Sequence, residues 1–286
     1  MALVDLMIRN ISRNRTSVEK REDLRPGILV PVNSSASAFN ALEYALQLAR
    51  VLNSSIHLLY VADVDEIPES NNPMVVNRMI DRLDHRAANC VESLREMIEE
   101  SGIKVTTAES RVGKVETLIL NYSSQLTPGL IVLGKDSFAK TKINHLIDET
   151  EFPVLCIPQS APPRLPVSIT LSSHQSVLFD KAVDPLMKII QGTTRELNVL
   201  NVVKRKRSLL TDQLSIESAR GNVAVNRYQQ VDSELVNGVC SFVKMNGVDF
   251  LGVTQKRQSF FGRIFKRNVI PDLVSSLTIP VMIIKV

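Results

Sequence analysis

A chain of 286 residues, 44% hydrophobic and 22% charged, is too apolar to be disordered throughout and long for one compact unit, so two domains are expected. No apolar run approaches the ~18–20 residues that span a bilayer, and three cysteines without CxxC or CxH spacing argue against a disulfide framework or a zinc site and for a reducing, cytoplasmic setting. The net charge of +4 is unevenly spread, with 11 basic against 17 acidic residues over 26–160 and 17 against 9 over 161–286.

Residues 1–25 stand apart. Leu3, Leu6, Met7 and Ile11 fall at helical spacing and are followed by Arg9, Arg13 and Arg15. A secretory signal needs the basic residues first, so the reading is an arm that packs on the body or on another subunit, with a membrane-surface helix as the alternative.

From Pro26 short apolar strands alternate with amphipathic helices. Ile28–Val32 is a buried strand that ends in Asn33-Ser34-Ser35, a turn and helix N-cap signal. Ala38, Leu42, Ala45, Ala49 and Leu52 make one helical face, and Ile56–Val61 is the next strand. A long helix is predicted over 73–100, stopped by Gly102, then a weaker strand over 105–109 and a helix over 115–126. The run Gly129–Gly134 is apolar without alternation, as expected of a strand covered on both faces. A helix over 143–150 and the strand Pro153–Pro158 close a βαβαβαβαβ succession. This order means an α/β domain, 26–160, with a parallel sheet and helices on both sides.

After the proline-rich junction 161–166 the order returns over 161–286. Val167–Leu171 matches the first strand, 176–190 the first helix, Leu197–Val203 the second strand and 233–245 the third helix. Gly247–Gly252 repeats the glycine-bounded Gly129–Gly134, and Ile279–Ile284 repeats Phe152–Ile157. The sequence is an internal duplication. Only about half the first copy's spacing separates strands two and three in the second copy, so the second helix there must be short or irregular.

An apolar strand ending near Asn33, a strand closing on Gly134 and a Phe-Pro-Val-Leu terminal strand resemble the universal stress protein family, as a tandem pair over about 26–286. The resemblance implies two tandem open parallel five-stranded sheets with helices on both faces, Rossmann-like and adenine nucleotide alpha hydrolase-like. It also implies pairing through the last strands, Val154–Ile157 and Val281–Ile284, which one chain could satisfy internally. Nucleotide-binding members of the family carry an aspartate after the first strand. After the fourth they carry Gly-x-x-Gly, nine residues and Gly-Ser or Gly-Thr, small residues that let backbone amides wrap phosphates.

This chain departs from that pattern. Asn33, and Ser172 in the second copy, stand at the aspartate position. Lys140-Thr141 follow Gly134 at half the family spacing, and Arg267-Asn268 stand at the corresponding place in the second copy. The positions that would meet a nucleotide are Asn33, Val61, Gly134, Lys135 and Thr141. A β-carbon at Lys140 and Arg267 obstructs phosphate approach. The expectation is therefore no tightly held cofactor, with ATP or another adenine nucleotide bound only weakly, through Lys135, Lys140 and Lys142.

No catalytic or metal constellation emerges. His145 and Glu149 read as a solvated helix pair, and Asp63, Asp65 and Glu66 as an acidic loop. His57 reads as structural, Cys156 as a small core residue, and Cys90 and Cys240 as helix residues. In the second copy Lys204–Arg207 and Lys256–Arg267, with Phe260, Phe261 and Phe265, fall in loops at one sheet edge. They suit a solvated edge, an anionic or phosphorylated ligand, or nucleic acid or membrane. The reading is a non-catalytic tandem universal stress protein, a stress-response binding and regulatory module with impaired ATP binding. Its alternatives are a regulatory sensor related to the soluble tails of cation–proton antiporters, and a weak ATP-binding or ATP-hydrolysing protein.

Overall fold

The computed structural model describes residues 26–67, 72–172, 181–203, 214–216, 223–255 and 269–286. The arm 1–25 and the basic segments Lys204–Arg207 and Lys256–Arg267 lie outside the described residues. In chain order the strands and helices are β1 (Ile28–Val32), α1 (Ala36–Leu52), β2 (Ile56–Asp63), α2 (Pro73–Glu100), β3 (Val105–Gly113), α3 (Val115–Leu126), β4 (Leu130–Gly134), α4 (Lys140–Glu149), β5 (Val154–Ile157), β6 (Ile169–Ser172), α5 (Asp184–Gly192), β7 (Glu196–Val203), β8 (Leu214–Ile216), β9 (Val223–Val231), α6 (Leu235–Met245), β10 (Phe250–Gln255), α7 (Val269–Ser276) and β11 (Val281–Lys285).

Local chemistry sets the helix limits. Ser35 caps α1, its hydroxyl accepting from the Ala38 amide at 3.2 Å, and Asn53 ends that helix in the left-handed region at φ 48°. The Asn72 side chain accepts from the Met74 amide at 3.0 Å at the start of α2, where Pro73 adds its pre-set φ. Beyond α2, Gly102 takes φ +80°, a conformation that suits only glycine without strain.

The two expected sheets are one. Eleven strands run in the order β3-β2-β1-β4-β5-β11-β10-β6-β7-β9-β8, because β5 and β11 pair antiparallel with Val154 opposite Ile283, Leu155 opposite Met282 and Cys156 opposite Val281. Every other pairing is parallel except β8 against β9. Each last strand is thus hydrogen-bonded on both sides within the chain. Two apolar layers cover the sheet, and both run through the two halves. One lies under α1, α2 and α5 and the other under α3, α4, α6 and α7. The helices α1 and α5 meet so closely that a β-carbon on Gly192 would collide with the Val51 side chain.

Strand register corrects two readings made from the sequence. Val154 pairs with Ile131 and Ile157 with Gly134, whereas Val281 pairs with Leu251 and Ile284 with Thr254. Since Pro280-Val281 repeats Pro153-Val154, Thr254 takes the place of Gly134, and Gly252 that of Val132. The glycine-bounded repeat slips by two residues because apolar strands without alternation carry no internal marker of register. Likewise Ile28 pairs with Leu130 and Ile169 with Phe250, so Ser172 stands in for Pro31, and the counterpart of Asn33 is position 174, outside the described residues.

The second copy departs from the first in two more places. A 3₁₀ turn over Lys181–Val183 leads into its helix α5 at Asp184, and the expected helix start near 176 lies outside the described residues. Between β7 and β9 the described residues hold the short strand β8 and no helix.

Candidate functional site

In an open α/β sheet a ligand sits at the carboxyl ends of the strands, where successive connections leave in opposite directions. In the first half that point lies between β1 and β4. Their pairing extends only over Ile28–Leu130 and Leu29–Ile131 and stops before Pro31, which has no N–H to offer. A gap therefore opens beyond Pro31, with Asn33 and Gly134 on its two sides.

The chain fills that gap itself. The Asn33 side-chain amide donates to the Ser137 carbonyl, while its oxygen accepts from the Ser35 amide at 3.1 Å and the Ser35 hydroxyl at 2.6 Å. The loop after β4 turns back at once. Its Ser137 amide and hydroxyl both donate to the Gly134 carbonyl, at 3.2 and 2.7 Å. The Asp136 amide donates to Ser37 Oγ at 3.2 Å, and the Lys135 amide to the Ile157 carbonyl at 2.8 Å. Ser137 and Phe138 are buried. Three successive loop amides are thus hydrogen-bonded within the protein.

Gly134 is required here for a reason unrelated to phosphate. A β-carbon on it would lie 2.5 Å from the Ser37 carbonyl oxygen, so glycine lets the first turn of α1 close on β4. The lysines are spent in a similar way. Lys135 Nζ donates to the Leu277 carbonyl at 2.9 Å and the Ser275 carbonyl at 3.3 Å, capping the end of α7 in the second half. Lys142 Nζ binds Asp63 and, at 2.7 Å, Asp65. Burial by itself would lower the pKa of Lys142, but its hydrogen bonds to the two carboxylates hold it above its ordinary value. The Lys142 hydrogen bond in turn holds Asp65 below the usual carboxylate range. Of the three lysines expected to supply charge, Lys140 alone points outward, exposed at the start of α4 beside the exposed Thr141. Val61 is buried in the layer beneath α3 and α4. The five sequence-predicted positions are thus divided among the buried layer at Val61, the closed loop at Asn33, Gly134 and Lys135, and the exposed start of α4 at Thr141.

Ser37 and Ser137, which close the site, carry no motif that distinguishes them from other serines. The reach of Lys142 to Asp63 spans 79 residues and is visible only in the fold. His57 is structural. Burial lowers its pKa, and its Nδ1 lies 3.0 Å from Thr107 Oγ1, which also accepts from the Tyr122 hydroxyl at 3.0 Å. The second half places Asn198 and Asn226 at the matching register positions, hydrogen-bonded at 3.3 Å. Cys156 is fully inside the sheet, and burial pushes its thiol up to about 12. His145 and Glu149 lie exposed on α4.

A cavity of about 560 Å³ lies away from the gap, at the seam between the halves, among Gly129, Glu151, Pro153, Lys181, Lys285 and Val286. Among the described residues no cluster of three or more His, Cys, Asp or Glu could hold a metal, and no helix is long and apolar enough to cross a membrane.

Residues 27–157 match the universal stress protein family. A universal stress protein of Methanocaldococcus jannaschii is 23% identical over 150 residues, which cover 51% of this chain and 81% of that one. The crystal structure of a universal stress protein from Archaeoglobus fulgidus shares the fold at a TM-score of 0.70, with 15% identity over 91% of this chain and 96% of its own. A functionally unknown protein from Pseudomonas aeruginosa PAO1 aligns at 0.55, with 13% identity over 92% and 93% of the two chains.

Proposed function

We propose, from the match of residues 27–157 to the universal stress protein family, that the chain is a non-catalytic, cytoplasmic stress-response module that acts by binding and regulation without a resident nucleotide. The observation that carries this reading is the closed loop after β4. The amides of Lys135, Asp136 and Ser137 are bonded to Ile157, Ser37 and Gly134, and Asn33 holds the loop from across the gap. Opening it for a phosphate means breaking these hydrogen bonds together, at roughly 0.5–1.5 kcal/mol each. The second half supports the same reading, since Thr254 carries a β-branched side chain where the first half needs glycine.

The test is release of nucleotide from the purified full chain on denaturation, read as adenine absorbance. The chain has no tryptophan, so its own background is low. The expected result is no nucleotide, with no heat on calorimetric titration with ATP and no phosphate release. Adenine nucleotide recovered at close to one per half overturns the proposal.

A further inference from the structure

The longest helix carries a charge pattern that neither the fold nor the closed site uses. In α2, Arg78, Arg82 and Arg86 recur every four residues, and after a step of six Glu92, Glu96 and Glu100 recur with the same spacing. Four-residue steps keep a row on one helix face, and all six residues are exposed. The buried residues Ala87, Val91, Leu94 and Ile98 lie on the opposite face, against β2 and β3. Among the described residues none of the six charges has an ion-pair partner; the pair on this helix is Arg95 with Glu99.

The arrangement works against the helix that carries it. Like charges four residues apart repel. Glu100, with Glu99, lies in the last turn, which contains no basic residue, so these anions oppose the helix dipole. Helix stability therefore does not account for it.

A second copy does. If two α2 helices lie antiparallel about a two-fold axis at Asn89, Arg78 faces Glu100 and Arg82 faces Glu96, while Arg86 and Glu92, about 120° apart around the helix, flank the contact on opposite sides. One axis satisfies both facing pairs, each of them twice, as an isologous contact requires. The antiparallel arrangement also opposes the two helix dipoles. The charged stretch is about 33 Å long at 1.5 Å per residue. The last strands, which the family resemblance would use for pairing, are already occupied on both sides within this chain. We propose that the outer face of α2 is a self-complementary surface through which two copies of this chain form an antiparallel, salt-sensitive dimer.

Sedimentation equilibrium of the full chain over a range of protein and salt concentrations tests this. The expected result is a dimer that weakens as sodium chloride rises. Arg82→Glu and Glu96→Arg each turn two attractive contacts into repulsive ones and should weaken self-association about tenfold. Their melting temperatures should stay near that of the unaltered protein, because both side chains are exposed. The double variant should dimerise again, and the two single variants should form a heterodimer when mixed. A monomer at every concentration overturns the proposal, whether the face is bare or held by another protein. So does a dimer indifferent to salt and to either reversal, or a pair of single variants that ignore each other.

Discussion

Removing the ammonium of Lys142 tests the electrostatics of the closed site. The side chains of Lys142 and Asp63 are only 15% and 10% exposed, while that of Asp65 is 57% exposed. Lys142→Met keeps most of the length and packing of the side chain but leaves Asp63 largely buried without its cation. A hydrogen bond to a charged group contributes roughly 1.5–3 kcal/mol, and breaking a fully buried pair costs about 3–5. With both partners retaining some exposure, the lower range applies. The expected loss is about 2–3 kcal/mol, or a fall of roughly 4–10 °C in melting temperature for a chain of this size. Urea unfolding followed by circular dichroism measures it. Adding Asp63→Asn removes the stranded charge, so the double variant should regain about 1–2 kcal/mol relative to the sum of the single changes. Asp65→Asn should leave the midpoint almost unmoved, because water screens that carboxylate. The raised Lys142 contributes stability that is present at neutral pH and lost as pH climbs through its folded value. The advantage over Lys142→Met should therefore shrink at strongly alkaline pH. Equal stability of Lys142→Met and the unaltered protein at neutral pH would refute the idea that this cation ties α4 to the end of β2.

Two further outcomes follow from the same geometry. Gly134→Ala should cost about 1–3 kcal/mol in urea unfolding, as overpacking does, because the new β-carbon meets the Ser37 backbone 2.5 Å away; an unchanged midpoint would show that α1 moves aside freely. His57 is held neutral by burial, with its folded pKa below the ordinary value of 6.5, so its contribution is present above that value and lost as pH falls toward the folded one. Stability should decline between pH 7 and 5, and His57→Gln should flatten the slope; identical slopes in the two proteins would discount the histidine.

Much of the architecture is legible in the residues. The apolar runs at Ile28, Ile56, Leu130 and Val154 name buried strands, and the spacing of Ala87, Val91, Leu94 and Ile98 names the inner face of α2. The proline-led repeat at Pro153 and Pro280 announces the duplication. These signals are legible because hydrophobic periodicity and turn chemistry act over a few residues. The second copy between β7 and β9 was less so, since nothing in its composition told a short antiparallel strand from an irregular helix.

The candidate site divides along the same line. Asn33 and the shortened connection from Gly134 to Thr141 mark, in the sequence, a departure from the family's nucleotide motif. What occupies its place was decided by tertiary structure. Ser37, Ser137 and Asp136 close the gap through hydrogen bonds that depend on how α1 lies against β4. Lys135 turns to α7, and Lys142 to Asp63, over separations that no local pattern reports. The joining of two sheets into one, and the two-residue slip that sets Thr254 against Ile284, also belong to the fold. A backbone ladder identifies its partner by geometry, and uniformly apolar strands leave that geometry unwritten in their side chains.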